Sequence, residues 1–299
     1  MKEFYSNGKL LLTGEYAVLD GAVGLAIPTK FGQSLKIHPT ADSAIHWQSL
    51  DKNNKIWYED SFRLPGMKSN SKKEESSVLS NIFYHASLLN PSFGRQGAIA
   101  LSQLTFPRNW GLGSSSTLIS NIAQWAQVDV FELLDRTFGG SGYDVAAAEH
   151  NPPILFSRNK EKINVSEVHL KWEFTNQIFF VYLNKKMNSR QGIEQYSRNR
   201  LNSKDLQRIS DISEACVFVD NLEDFESLLM EHELILSKTL SKKTVKEDLF
   251  PDYPNTLKSL GAWGGDFILA TGNKENQDYF LQKGYPVVIS YNNMVKFSY

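Results

Sequence analysis

A glycine- and serine-rich loop that runs directly into an amphipathic helix places the strongest restriction on the fold of this chain. The loop reads Gly111, Leu112, Gly113, Ser114, Ser115, Ser116. Glycines let the backbone approach a ligand closely, and the free N–H groups and dipole of a helix start favour a bound phosphate. A turn with Ser114 as a helix cap explains the same residues. The loop alone therefore leaves both interpretations open.

The loop does not match two common phosphate-binding patterns. No Gly-Lys-Ser or Gly-Lys-Thr follows at the spacing of a Walker A loop. A dinucleotide fingerprint needs a third glycine where this chain has Ser116. If the loop binds phosphate, it belongs to a different architecture.

Two further glycine-centred clusters carry side chains suited to phosphate chemistry. Lys9 follows Gly8 at a strand start, where it can serve as a point charge for phosphate or be an ordinary surface lysine. Asp144 follows a glycine turn ahead of small residues, where it can face a cavity or cap a helix. Each cluster by itself leaves its two interpretations open.

Composition excludes several other classes of protein. The 299 residues contain 32 Lys+Arg and 33 Asp+Glu, a formal charge of −1, which argues against a sequence-blind nucleic-acid binder. The single cysteine, Cys216, rules out an intramolecular disulfide or a multi-thiolate metal site and suggests a reducing compartment. No segment reaches the ~18 consecutive apolar residues of a membrane span. We therefore expect a cytoplasmic protein that acts at neither membrane nor nucleic acid.

Hydrophobic patterning predicts strands and helices in both halves of the chain, which indicates an α+β protein with lobes at 1–165 and 166–299. The polar residues 51–77 are expected to form a surface loop or lid. Predicted strands lie at 10–12, 23–28, 31–37, 97–104, 154–156, 178–183, 267–270 and 286–289. Predicted helices lie at 78–89, from Ser114, after Asp129, at 203–219 and at 221–236.

Taken together, three segments resemble the motifs of the GHMP kinases, the superfamily of galactokinase, homoserine kinase, mevalonate kinase and phosphomevalonate kinase. Residues 8–19 resemble its N-terminal motif, 107–117 its ATP-phosphate loop, and 261–266 its C-terminal glycine motif. The three occur in the right order and cover nearly the whole chain. Together with 141–146, they are most similar to the mevalonate and phosphomevalonate kinases, the latter branch being closer.

The resemblance implies a two-lobed GHMP kinase fold. The N-terminal lobe is expected to be a ribosomal-protein-like βαβ lobe with a left-handed crossover, and the C-terminal lobe to be ferredoxin-like. The implied activity is transfer of the γ-phosphoryl group of ATP, with Mg²⁺, to a hydroxyl or phosphate of a small anionic acceptor. Mevalonate and 5-phosphomevalonate, precursors of isoprenoids, are the favoured acceptors. Whether the chain forms a homodimer is left open.

The resemblance also assigns roles to individual residues. The loop 111–116 would hold the triphosphate, and Ser115 would contact Mg²⁺. Asp144 would accept the proton of the attacking hydroxyl, and Lys9 nearby would keep Asp144 ionised and help bind the transferred charge. The substrate-binding candidates are Glu15, Tyr16, Ser141, Gly142, Ser189, Arg190, Gly264 and Gly265.

The chain departs from the family pattern at three places. Leu133 stands where mevalonate kinases have a metal-binding glutamate; Glu132 beside it is a substitute candidate, although Asp129 and Glu132 also fit a capping box, the favoured interpretation. Trp263 replaces a glycine, and Asn7 stands where proline is common. These changes suggest a divergent subgroup.

Two alternatives remain beside a mevalonate-type kinase. One is a GHMP-type kinase for another acceptor, such as homoserine or a sugar, and the other is a catalytically silent regulator that binds ATP or a metabolite. A mevalonate-diphosphate decarboxylase is disfavoured because its motif around the aspartate differs. The histidines at 38, 46, 85, 150 and 232 show no ligand spacing and are interpreted as structural.

Overall fold

The computed structural model describes residues 1–185 and 189–296. The strands are β1 (Lys2–Thr13), β2 (Gly24–Thr40), β3 (Ala44–Leu50), β4 (Ile56–Arg63), β5 (Gly97–Leu104), β6 (Ile154–Arg158), β7 (Ile163–Glu167), β8 (Ile178–Tyr182), β9 (Leu257–Ser259), β10 (Phe267–Thr271) and β11 (Val288–Ser290). The helices are α1 (Glu74–Leu89), α2 (Ser114–Ala126), α3 (Val130–Thr137), α4 (Tyr143–Glu149), α5 (Ser189–Arg198), α6 (Ser203–Phe218), α7 (Leu222–Leu240), α8 (Val245–Leu249), α9 (Lys274–Gln282) and α10 (Tyr291–Met294).

One compact unit is built from Met1–Gly8, Phe31–Arg108 and Gly113–Glu149. In it the strands lie in the order β4, β3, β5, β2, with β3 antiparallel to β4 and parallel to β5. Every second residue of β3 is buried, as expected for a strand with one face on a core. The core combines strand and helix side chains, among them Trp47, Phe62, Phe83, Ile122 and Leu133.

The other compact unit is built from Lys9–Lys30, Asn109–Leu112 and the described residues from His150 onward. Its four-stranded sheet has the order β11, β8, β10, β9, and every neighbouring pair is antiparallel. Helices separate β8 from β9 and β10 from β11, which is the β-α-β-β-α-β arrangement of a ferredoxin-like lobe. The start of β2 pairs with β6, and β6 pairs with β7.

The α+β class with two sheets is confirmed. The two units interleave along the sequence, whereas the predicted lobes 1–165 and 166–299 are continuous segments of chain; that division stays a prediction. In the part of the chain that the structure describes, no helix is both long and apolar enough to cross a membrane.

The polar segment 51–77, expected to form a surface loop or lid, includes the strand β4, which forms a hairpin with β3. The charged segment 158–167, for which no strand was predicted, includes β7. Both strands lie at the end of the strand order, and only Tyr58 and Phe62 are buried in β4. An edge strand contacts a core weakly, so its sequence lacks the apolar alternation on which the prediction depended.

Candidate functional site

Lys9 lies against the predicted phosphate loop. Its backbone N–H donates to the carbonyl oxygen of Leu112 at 3.0 Å, and its Nζ donates to the carbonyl oxygen of Gly111 at 3.4 Å. Strand β1 therefore holds this lysine beside the glycine turn through both main chain and side chain. A lysine beside a glycine turn can serve as a point charge for a phosphate bound there.

Gly111 is required by its backbone conformation and by a close neighbour. Its φ is +69°. A Cβ added there would lie under 3.0 Å from the carboxyl group of Asp266. The backbone of Asp266 is held by Lys185, which accepts its N–H at 2.8 Å, and by Leu183, whose N–H donates to its carbonyl at 2.8 Å. Burial, followed by the negative charge of Asp266, raises the pKa of Tyr182.

The second half of the predicted loop begins α2. Gly113 is the N-cap, with φ +88° and no side chain to cap the helix, so Ser114 is the first helical residue and not the cap. Ser116 donates its hydroxyl to the Gly113 carbonyl at 2.8 Å, and Thr117 donates to Gln33 at 2.6 Å. Ser115 is exposed. No side chain therefore caps the first turn of α2, and Ser115 faces solvent there. A helix start of this kind is suited to binding an anion.

Asp144 lies in the first turn of α4. Gly142 precedes the helix with φ +90°, and its carbonyl oxygen accepts the N–H of Ala146 at 3.0 Å. The Asp144 carboxylate accepts the adjacent Val145 N–H at 3.1 Å and is partly exposed. Ser141 is also partly exposed. Asp144 is therefore not the N-cap of α4.

Glu132, the substitute candidate for a metal ligand, contacts its sequence neighbours Asp129 and Arg136. Asp129 caps α3 by accepting the N–H of Glu132 at 2.8 Å, and Glu132 accepts from Arg136 at 2.8 Å. Among the residues described, no group of three or more His, Cys, Asp or Glu side chains could hold a metal ion. Magnesium bound with nucleotide phosphates commonly takes only one or two protein ligands and keeps several waters, so the lack of such a group does not bear on a nucleotide-bound ion.

Glu15 lies in a buried ionic cluster of the second unit. Lys258 Nζ is 2.7 Å from Glu15 Oε1 and 3.4 Å from Glu233 Oε1, and His232 Nε2 is 3.2 Å from Glu15 Oε2. All four side chains are at most 3% exposed. Burial raises the pKa of Glu15 to about 7 against the attraction of Lys258, and burial also raises the pKa of Glu233. Burial lowers the pKa of His232 well below its usual range.

Tyr16 lies in an aromatic cluster with Trp263. The Tyr16 hydroxyl accepts the backbone N–H of Trp263 at 2.9 Å, and its ring stacks on Tyr196 at 5.6 Å between centroids. The indole of Trp263 donates to the Lys243 carbonyl at 3.1 Å. The bulky residue in the third glycine motif is thus a packed core side chain that holds the turn.

The remaining predicted substrate-binding residues lie in the third glycine motif and at the start of α5. Gly264 is exposed with φ +88°, and Gly265 is buried. Ser189 and Arg190 begin α5, but their side chains lie outside the described part of the structure. Asn188, the residue before them in the sequence, lies outside the described residues.

Sequence reasoning missed two residues of the buried cluster, Lys258 and Glu233, and their one signal is a charged residue next to apolar ones. His232 was interpreted as structural, which agrees with its burial. Asp266 belonged to the third glycine motif, but no role was predicted for it.

The fold is that of the GHMP kinases. Mevalonate kinase of Methanococcus jannaschii matches with a TM-score of 0.70 and 16% identity over 94% of each chain. Phosphomevalonate kinase of Streptococcus pneumoniae, in complex with phosphomevalonate and AMPPNP, matches with a TM-score of 0.68 and 16% identity over 95% of this chain and 96% of that one.

Galactokinase of Lactococcus lactis, complexed with galactose, matches with a TM-score of 0.68 and 15% identity over 99% of this chain and 95% of that one. No family model matches the sequence, and no curated protein matches it either. The TM-scores establish the fold, and identities this low assign neither an activity nor an acceptor to this chain.

Proposed function

We propose that this chain is an ATP-dependent small-molecule kinase that transfers the γ-phosphoryl group to a hydroxyl or phosphate of a small anionic acceptor. Mevalonate and 5-phosphomevalonate are the favoured acceptors. The observation that carries the proposal is Lys9, which donates from both its backbone and its ammonium group to the Gly111–Leu112 turn. The GHMP kinase fold supports it, as does the structurally similar phosphomevalonate kinase that binds AMPPNP.

The residues present fit a bound nucleotide. Gly111 and Gly113 have positive φ, a conformation that glycine adopts readily, so the chain can turn sharply just before α2. The uncapped first turn of α2 offers N–H groups, and Lys9 offers a positive charge. Ser115 and the nucleotide phosphates would hold Mg²⁺, which supplies charge neutralisation on the transferred group.

Each of this chain's residues then has a defined task. For a hydroxyl acceptor, Asp144 accepts the proton of the attacking hydroxyl as its oxygen bonds to the γ-phosphorus, while the bond from that phosphorus to the bridging oxygen breaks and ADP leaves. Lys9 offsets negative charge that develops during transfer, and the N–H groups at the start of α2 hold the phosphates in line. Phosphoryl transfer needs little covalent chemistry from the protein, so positioning and charge carry the catalysis.

The test is steady-state kinetics of Asp144→Asn and Lys9→Met with ATP and a panel of mevalonate, 5-phosphomevalonate, homoserine and galactose. Each variant should lower kcat by roughly 10²–10⁴-fold, because each removes a group that acts in the transition state. Lys36→Met and Asp252→Asn are matched controls, since both residues form exposed ion pairs and should leave kcat unchanged. Wild-type kcat in both site variants would refute the mechanism.

The silent-regulator alternative predicts a different outcome. A regulator binds ATP in isothermal titration calorimetry but gives no turnover with any acceptor in a coupled assay. The joint presence of Lys9, Asp144 and the glycine loop disfavours that alternative.

A further inference from the structure

The buried cluster of Glu15, His232, Glu233 and Lys258 contains two carboxyl groups, one amine and one imidazole. With both carboxylates ionised, Lys258 protonated and His232 neutral, it would carry a net charge of −1 with at most 3% of any of these side chains exposed. An uncompensated charge away from water is strongly unfavourable, and a buried acid commonly takes up a proton instead. One bound proton makes the cluster neutral.

The hydrogen-bond geometry indicates where that proton lies. His232 Nε2 accepts the backbone N–H of Gly14 at 2.8 Å, so Nε2 carries no hydrogen of its own. Glu15 Oε2 lies 3.2 Å from the same nitrogen and has no partner that would donate to it among the described residues. Nε2 has one lone pair, which the Gly14 N–H already uses, so Nε2 faces Oε2 as an acceptor and donates no hydrogen to it. Protonation of Glu15 at Oε2 replaces this acceptor–acceptor contact with an O–H···N contact that shares the lone pair with the Gly14 N–H.

Glu233 is in a setting that favours its charged form. Its Oε1 accepts the backbone N–H of Ser259 at 2.9 Å and lies 3.4 Å from Lys258 Nζ. Hydrogen bonds donated to a carboxylate stabilise the anion. Lys258 lies nearer to Glu15, and both Glu15 Oε2 and Glu233 Oε2 lack a partner among the described residues, so Lys258 does not distinguish the two acids. The Ser259 N–H at Glu233 and the acceptor His232 Nε2 at Glu15 do, and they place the charge on Glu233 and the proton on Glu15. Burial raises the pKa of Glu15 to about 7, in line with this assignment.

The cluster holds a turn of unusual backbone conformation. Gly14 has φ +96°, and a Cβ there would lie 2.7 Å from the Cα of Gly24; Tyr16 has φ +61°, rare for a residue with a side chain. Such a turn persists only when its surroundings determine it. His232 holds Gly14, Lys258 holds Glu15 through Oε1 at 2.7 Å, and the N–H of Trp263 donates to the Tyr16 hydroxyl at 2.9 Å.

We propose that one proton, held on Glu15, keeps this cluster neutral, and that Glu15, His232 and Lys258 position the Gly14–Tyr16 turn for catalysis. The role in catalysis rests on the kinase function proposed above. Tyr16 transmits the position of the turn to the backbone of Trp263 in the third glycine motif. Glu15 is then a positioning residue and contacts no substrate.

The protonation is tested by thermal unfolding of the wild type and of Glu15→Gln between pH 5 and 9. The groups that face Glu15 are Lys258 on β9, His232 and Glu233 on α7, and Cys216 on α6, whose thiol stays neutral because burial raises its pKa to about 12. A carboxyl whose folded pKa is raised from 4.5 to about 7 loses its stabilising contribution as the pH rises through that interval. The amide of Gln stays neutral at every pH.

The Tm of Glu15→Gln relative to wild type should therefore rise between pH 5 and 7 and level off above. Glu231→Gln is the matched control: Glu231 lies on the same helix in an exposed pair with Arg208, and its variant should show no such relative rise. A Glu15→Gln difference that is constant with pH, or that falls as the pH rises, would overturn the assignment. This measurement needs no turnover, so it stands even if the kinase function fails.

The positioning role is tested by kinetics of Glu15→Gln and Glu15→Ala. The Gln amide can accept from Lys258 and donate to His232, so kcat and KM near pH 7 should stay within about threefold of wild type. Glu15→Ala removes both contacts and should lower kcat/KM more than tenfold. Equal losses in the two variants would overturn the positioning role, and a more than hundredfold loss in kcat for Glu15→Gln would do the same. No turnover in the wild type would instead count against the kinase function alone.

Discussion

Substitution of Gly111 by alanine tests how closely the glycine loop 111–116 and the third glycine motif approach at Gly111 and Asp266, both in the second unit. A side chain at φ +69° costs about 1–2 kcal/mol, because Cβ then crowds the following carbonyl oxygen. The new Cβ would also meet the Asp266 carboxyl group, and forcing atoms into a packed site costs roughly 1–3 kcal/mol more. Gly111→Ala should therefore lower the free energy of unfolding by about 2–5 kcal/mol.

Gly261→Ala separates the two contributions. Gly261 has φ +72°, but a Cβ there would have no atom within 4 Å, so only the backbone cost of about 1–2 kcal/mol applies. Urea unfolding followed by far-UV circular dichroism gives both free energies, and unchanged m-values would show that the unfolded states are comparable. Equal losses in the two variants would refute the close approach of Asp266 to Gly111.

A double variant gives a further check. Asp266 itself has φ +55°, which glycine tolerates well, so Gly111→Ala combined with Asp266→Gly should recover the part of the loss caused by the clash. Simple additivity of the two single effects would show that the residues do not interact.

Two further stability predictions follow from single contacts. Trp263→Ala should lower the free energy of unfolding by about 3–5 kcal/mol, since it empties a buried site in the cluster with Tyr16 and Tyr196. Trp263→Phe should lose about 1 kcal/mol with the hydrogen bond to Lys243, and a smaller loss for alanine than for phenylalanine would contradict this. Asp129→Ala should cost about 1 kcal/mol through loss of the α3 cap, and Asp129→Asn should restore most of it in the same urea assay.

Local patterns predicted much of the fold because they depend on neighbours in the chain. The strand at 97–104 and the helix from Ser114 were predicted with the bounds that the structure shows, since each has a periodic apolar face. The edge strand Ile56–Arg63 lacked that signal and was missed. The GHMP resemblance depended on three short glycine motifs, and the fold comparison agrees with it.

The amino-acid sequence by itself determined the glycine turns, the helix that follows Gly113 and the order of the motifs, because these depend on the conformational freedom of glycine and on spacing of a few residues. Only the tertiary structure decided the surroundings of Glu15. Its partner Lys258 lies 243 residues away along the chain, and no local pattern relates the two. Whether a carboxyl is a substrate ligand or a buried positioning group depends on desolvation and on opposing charges, which packing alone creates.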